Sequence, residues 1–336
     1  MSATERAAFE RWPDLADRRV GGTTVAANDE FFAPKDRLVE PGPPEFRPDE
    51  YTDRGKWMDG WETRRRRDPG HDWCVVRLGA PGVVHGVVVD TRHFRGNHPE
   101  AASVEGARLE IEPLKWEDPA VEWVPLVPRS PLAGDAENGF RVDVDRTWTH
   151  VRLSIFPDGG VARLRVHGEA RPDWDLLART GRAGGIELAA IPRGGAVMAC
   201  SDEFFGAPGN LLLPGDAQGM WDGWETRRRR GPGHDWVVVR LGHRARIERV
   251  EIDTRHFKGN YPESARLEAI DAPDAAAGPP ADAPWRETLP RTRLLPDDVH
   301  PFEAPELTPV EATHVRLSIF PDGGVARLRV FGTPLA

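Results

Sequence analysis

Four consecutive arginines stand in GWETRRRRDPGHDW, residues 60–73, and four more in GWETRRRRGPGHDW, residues 223–236. A guanidinium grips a planar carboxylate through two parallel hydrogen bonds. A partly buried charge pair about 4 Å apart is worth roughly 4 kcal/mol at an effective dielectric near 20. One or two such arginines facing a cleft would anchor a small anionic ligand. In an extended chain Trp61, Thr63, Arg65 and Arg67 point one way and Glu62, Arg64 and Arg66 the other. The plainer reading is a solvated face on which Asp59, Glu62, Asp68 and Asp72 neutralise the run, and such surface pairs are worth little.

Groups able to move protons follow closely. His71 and Asp72 recur as His234 and Asp235, and Asp90, Arg92 and His93 recur as Asp253, Arg255 and His256. Asn97 and Glu100 recur as Asn260 and Glu263. An imidazole, with an unperturbed pKa of about 6.5, beside a carboxylate suits general acid–base catalysis. The plainer role for each is a histidine that caps a turn or satisfies a buried carbonyl. His93 opens the loop HFRGNHPE, and loops at one end of a sandwich carry sites. The candidate catalytic set is therefore His71, Asp72, Asp90 and His93 with His234, Asp235, Asp253 and His256. The candidate substrate-binding set is Glu62, Arg64, Arg66, Arg92 and Asn97 with Glu225, Arg227, Arg229, Arg255 and Asn260. No HxH, HExxH or cysteine cluster gives metal-ligand spacing. No obligatory metal is expected, although a loosely held Mn²⁺ or Mg²⁺ is compatible with the histidines and carboxylates present. No GxSxG, P-loop or GxGxxG after a strand occurs, which leaves serine hydrolase, nucleotide hydrolase and dinucleotide enzyme unsupported.

The elements that must position these groups are also written twice. GGTTVAANDEFFAP at 21–34 answers GGAVMACSDEFFGAP at 194–208, and THVRLSIFPDGGVARLRVHG at 149–168 answers THVRLSIFPDGGVARLRVFG at 313–332. The offset falls from 173 to 163, so the first repeat has about ten extra residues within PKDRLVEPGPPEFRPDEYTDRGK, read as a surface loop. Each repeat is long enough to bury its own core, which divides the chain into 1–170 and 171–336. Between the repeats 114–147 and 271–311 share almost nothing, while nine residues including all four arginines are identical. His98 against Tyr261 and Asp68 against Gly231 are departures, and the sequence leaves open one composite site or two.

Periodicity within a repeat is mostly two. WCVVRLG, VVHGVVVDT, ARLEIEPL and THVRLSIF are short β-branched runs separated by turns such as GAPG and PDGG. VARLRVHG sets Val161, Leu164 and Val166 against Arg163 and Arg165, with a slip at Ala162. Only Phe9–Ala16 and Asp173–Arg179 suggest a helical turn. Thirty-two prolines and thirty-four glycines fit an all-β chain of two tandem jelly-roll β-sandwiches. The tryptophans Trp57, Trp61, Trp73, Trp221, Trp224 and Trp236 are expected in the core, sugar platforms being the alternative.

A net charge of −9 argues against nucleic acid and anionic membrane as partners. No stretch approaches 18 apolar residues, and the start MSATERAAFERWPDLADRR has no apolar core of signal-peptide length. With only Cys74 and Cys200, no disulfide framework arises, which suits a reducing compartment.

Taken together, DGWETRRRR–PGHDW, (V/I)DTRHF(R/K)GN–PE and VRLSIFPDGGVARLRV in tandem, with the DEFF segments at 29–32 and 202–205, closely resemble the allantoicase family. The resemblance covers about residues 9–334. It implies paired jelly rolls similar to galactose-binding-like sandwiches, hydrolysis of allantoate to ureidoglycolate and urea in purine degradation, and a cytoplasmic homo-oligomer. On that reading arginines hold the substrate carboxylate, and Glu62, Asp72 or Asp90 accept its ureido N–H groups. His71 or His93 with Asp72 or Asp90, or their second copies, transfer protons. The alternatives are a lectin-like sandwich binding anionic glycans and a related ureide hydrolase.

Overall fold

The valine-rich run Asp72–Asp90 forms a single strand of 19 residues, because its β-branched side chains pack on both of its faces. Its first half lies between the strands Thr23–Ala27 and Thr147–Phe156. Its second half lies between Arg163–Ala170 and Glu137–Arg141. The register slips between Arg77 and Gly82, and there the strand passes from one layer to the other. Thr147–Phe156 continues into Ala101–Ala107 and then Val124–Pro131. The result is an antiparallel sandwich whose core holds Trp148, Leu153, Ile155, Val87, Leu164 and Val166, all fully buried. A computed structural model describes residues 3–180, 185–275, 278–280 and 282–335 of the protein.

The second repeat follows the same plan. Asp235–Asp253 is again 19 residues long and lies between Ala196–Cys200 and Val310–Phe320, then between Arg327–Pro334 and Val299–Phe302. The chain divides into two compact units, Met1–Arg171 and Pro172–Ala336. Both are jelly-roll sandwiches, and the only α-helices among the described residues are Ala3–Glu10 and Trp174–Thr180.

Several local expectations are revised. GAPG is not a turn between strands but the bend inside one, and a side chain at Gly82 would collide with Leu15 and the Glu169 carbonyl. ARLEIEPL is not a strand: pairing ends at Ala107, and Ile111 and Leu114 are exposed. The first helix precedes the stretch expected, leaving Phe9 near its end and buried. Trp61 and Trp224 are core residues as expected, but Trp221 is exposed and Trp57 lies under the Arg47 guanidinium, 4.5 Å from the ring centre. Arg163, placed by alternation with the polar residues of its strand, is buried against Asp59 at 2.7 Å, as Arg327 is against Asp222 at 2.7 Å.

Candidate functional site

The motif is held residue by residue, which explains why the two copies did not drift apart. Asp59 pairs with buried Arg163. A side chain on Gly60 would meet the Val161 carbonyl at 2.6 Å. Trp61 is fully buried and its Nε1 donates to the Asp29 carbonyl at 2.8 Å. The backbone of Glu62 is clamped between Ala33 on one side and Gly160 on the other. Thr63 is buried beside the Gly159 turn, where φ of 139° requires glycine. Alternation thus holds over Trp61–Thr63.

Beyond Thr63 the arginines divide into two kinds. Arg64 pairs with Asp29 at 2.6 Å and Arg66 with buried Asp72 at 2.6 Å. Their counterparts Arg227 and Arg229 pair with Asp202 and Asp235. Arg65, Arg67, Arg228 and Arg230 are exposed and have no hydrogen-bond or ion-pair partner among the described residues.

Glu62 points to the side where the loop shared by both repeats returns. Its Oε1 accepts from Asn97 Nδ2 at 2.7 Å, and Glu225 accepts from Asn260 at 2.5 Å. Burial pushes the Glu62 carboxyl above its ordinary pKa, offset only in part by the Asn97 hydrogen bond. Next to this pair His93 sits at φ 71°, a left-handed conformation rare outside glycine. Its backbone N–H donates to Asp135 Oδ1 at 2.9 Å, and Asp135 itself has φ 52°. The second repeat has the same arrangement in His256 and Asp297, with φ of 72° and 54°. These four are the non-glycine residues of positive φ among the described residues. Their equivalence shows that the apparently unrelated stretches 114–147 and 271–311 hide a matched pair. His93 Nε2 lies 3.2 Å from the Pro44 carbonyl, and His256 Nε2 lies 2.8 Å from that of Ala217. A carbonyl can only accept, so Nε2 carries the proton and Nδ1 of the neutral ring is a free acceptor.

Glu62, His93 and Asn97 line one cavity of about 410 Å³. Arg95 and Gly96 come from the same loop, and Phe32 from the DEFF segment. Of the remaining walls, Phe46, Gly55 and Lys56 belong to the stretch that holds the extra residues of the first repeat, and Met58 follows it by two residues. That segment is no featureless loop, because Tyr51–Thr52 pairs with Gly55–Lys56 as a hairpin. Phe46 stacks on the His93 ring with centres 5.4 Å apart, and Lys56 Nζ lies 4.7 Å over Phe46. Sequence reading missed Lys56 and Phe46. The available signal was an insertion peculiar to one repeat that abuts the shared motif.

The other candidates do not line this cavity. Asp90 is buried and doubly bonded by the Arg92 guanidinium, and Arg92 also meets Glu137 at 3.0 Å. Arg255 is likewise held by Asp253 and Asp216. Asp72 accepts from Arg66 and Asn28, and Asp235 from Arg229 and Ser201. His71 and His234 pack against Phe156 and Phe320 with ring centres 4.8 and 4.6 Å apart. Burial, reinforced by nearby arginines, keeps both below the ordinary imidazole pKa. Among the described residues no group of three or more His, Cys, Asp or Glu is placed to hold a metal ion.

The allantoicase repeat family model matches residues 13–171 and again 186–335. A probable allantoicase of Pseudomonas aeruginosa (strain UCBPP-PA14) is 49% identical over 333 residues, covering 98% of each chain. A probable allantoicase of Streptomyces coelicolor is 48% identical over 337 residues, covering 97% of this chain and 86% of that protein. The crystal structure of allantoicase from Saccharomyces cerevisiae superposes with a TM-score of 0.83 at 32% identity, covering 99% of this chain and 98% of that one. Two matched repeats, full-length identity near one half and a shared fold over the whole chain establish that this protein belongs to the allantoicase family.

Proposed function

We propose that the chain is an allantoicase, hydrolysing allantoate to ureidoglycolate and urea, and that the cavity of the first repeat is where it does so. The observation that carries the site is the meeting, in one cavity, of a half-buried carboxyl that burial shifts toward its protonated form, an imidazole with a free Nδ1 and a cation: Glu62, His93 and Lys56. Allantoate is a small carboxylate with two ureido groups on one carbon. Lys56 receives the carboxylate. Water adds its oxygen to the central carbon while the C–N bond to one ureido group breaks. The leaving nitrogen keeps the bonding pair and takes a proton from Glu62, departing as urea. His93 Nδ1 accepts the proton that the water gives up. Solvent then returns a proton to Glu62 and removes one from His93. Asn97, donating to one carboxyl oxygen, leaves the other to carry the proton. Arg64 and Arg66, tied to Asp29 and Asp72, hold the strand in place.

Purified protein is expected to release urea from allantoate, and far less from ureidoglycolate or allantoin in parallel assays. Binding without turnover would favour a lectin-like role instead. The same reading places the enzyme in purine breakdown in the cytoplasm, as a homo-oligomer. Light scattering on the eluted protein tests the last point. No helix among the described residues is long and apolar enough to cross a membrane.

A further inference from the structure

The two repeats keep the same inner cluster but not the same walls. The carbonyls that accept from His93 and His256 belong to Pro44 and Ala217, at offset 173. One residue later, the Glu45 and Gln218 amides donate to Asp59 and Asp222. Asp59 and Asp222 are at offset 163, so the whole difference lies between these anchors: residues 46–58 against 219–221, Gly-Met-Trp. Phe46, Gly55, Lys56 and Met58 all fall in the longer segment, so among the described residues the ring stacked on His93 and the Lys56 ammonium have no counterpart beside His256, whereas the other cation of the cavity, Arg95, is matched by Lys258. The segment is tied down by its own contacts, Arg54 Nη1 donating to the Phe31 carbonyl at 2.7 Å. Where it is absent the equivalent aromatics are bare. Phe204 and Phe205 are 65% and 61% exposed, against 40% and 39% for Phe31 and Phe32, and Trp221 is 64% exposed.

We infer that hydrolysis is confined to the first repeat, and that segment 46–58 is the specificity-determining wall that makes its Glu–His–Asn cluster a working site. The inference rests on the function proposed above. An anionic substrate needs a cation and shelter from bulk water to bind productively. Lys56 and the hairpin supply both in the first repeat. The second repeat keeps Glu225, His256 and Asn260 in the same hydrogen bonds and no more exposed than their counterparts, but without the hairpin and Lys56 beside them.

The test is Glu62→Gln in the full chain, with urea release from allantoate as the readout. Loss of a proton donor lowers rate by about 10² to 10⁴, so a single working site predicts residual activity of roughly 1% or less. Titration calorimetry of allantoate into this variant then gives about one molecule bound per chain. Retention of about half the parental rate, or two molecules bound per chain, overturns the inference while leaving the proposed activity intact. Retention of full activity removes Glu62 from the chemistry and overturns both the inference and the proposed site, while the activity itself stands. Two further variants probe the wall. Lys56→Ala is expected to raise KM at least tenfold with a smaller change in kcat, and replacement of 46–58 by Gly-Met-Trp to lower kcat/KM at least a hundredfold with the β circular dichroism preserved. Unchanged KM in Lys56→Ala shows that the wall does not recognise the substrate, and this also overturns the inference.

Discussion

Glu62 occupies a place where stability and function pull against each other. Burial disfavours its charged form, so its folded-state pKa lies above the unfolded value. The favourable contribution is complete below the unfolded carboxyl pKa of about 4.3 and is lost as pH rises through the folded one. Glu62→Gln removes the charge while Asn97 can still donate to the remaining carbonyl. The variant is therefore expected to melt higher than the parent at pH 7.5 and no higher at pH 4, while losing turnover. Differential scanning fluorimetry at the two pH values checks this, and an equal shift at both would contradict the burial account. Asp135 acts on the backbone instead. It fixes the backbone of His93 from a left-handed conformation that it also occupies itself. Asp135→Ala loses the acceptor and places alanine at a φ that costs about 1–2 kcal/mol. Asn retains both the oxygen and the tolerance for that φ. The expected pattern is a roughly tenfold fall in kcat for the alanine variant, with activity restored in Asp135→Asn. Equal loss in both would mean that the carboxylate charge, rather than the held backbone, is what matters.

At the scale of elements, the strands were legible because period-two runs of Val, Ile and Leu leave little else for those segments to do. Their joins were less so. GAPG has turn composition, yet the chain continues through it as a bent strand, since ladder pairing on either side outweighs the local preference. The alternation in VARLRV disguised a buried charge. Arg163 faces inward because Asp59, distant in sequence, supplies a partner with 5% exposure and an additional backbone carbonyl. Removing one member of such a pair strands the other in low dielectric, at a cost of about 3–5 kcal/mol. Arg163→Met is expected to destabilise the protein by that amount in urea unfolding. Adding Asp59→Asn, which keeps an oxygen for the Glu45 amide, should recover a large part of the loss. A double variant no more stable than Arg163→Met would show that the cost is packing and not the orphaned charge. The hairpin that completes the cavity was illegible for a different reason. Its residues 46–58 are rich in charge and carry no hydrophobic period, so only its contacts with Phe31 and His93 reveal a role.

Over the whole molecule, the duplication was the most readable feature and the division of labour within it the least. Identity of the motif reports a shared scaffold of ion pairs and close glycine contacts. It could not report that only one copy has a wall beside it. The duplication also sets how the protein should respond to acid. His71 and His234 are equivalent, as are His150 and His314, and burial keeps all four below the ordinary imidazole value. His85 is lowered in the same way, and His314 falls to about 4. The folded state thus binds fewer protons than the unfolded chain below about pH 6.5, and the stability these rings contribute is present above that value and lost as pH falls toward the folded values. For His314 alone, with 2% of its surface exposed, the loss amounts to about 2 kcal/mol at pH 5. Most carboxylates are still ionised at that pH, so the effect is separable from ordinary acid unfolding. The melting temperature is expected to decline between pH 7.5 and 5, and His314→Gln to flatten the decline without altering turnover at pH 7.5. A melting temperature independent of pH across that interval would show that these imidazoles take up protons in the folded protein as readily as in the unfolded chain.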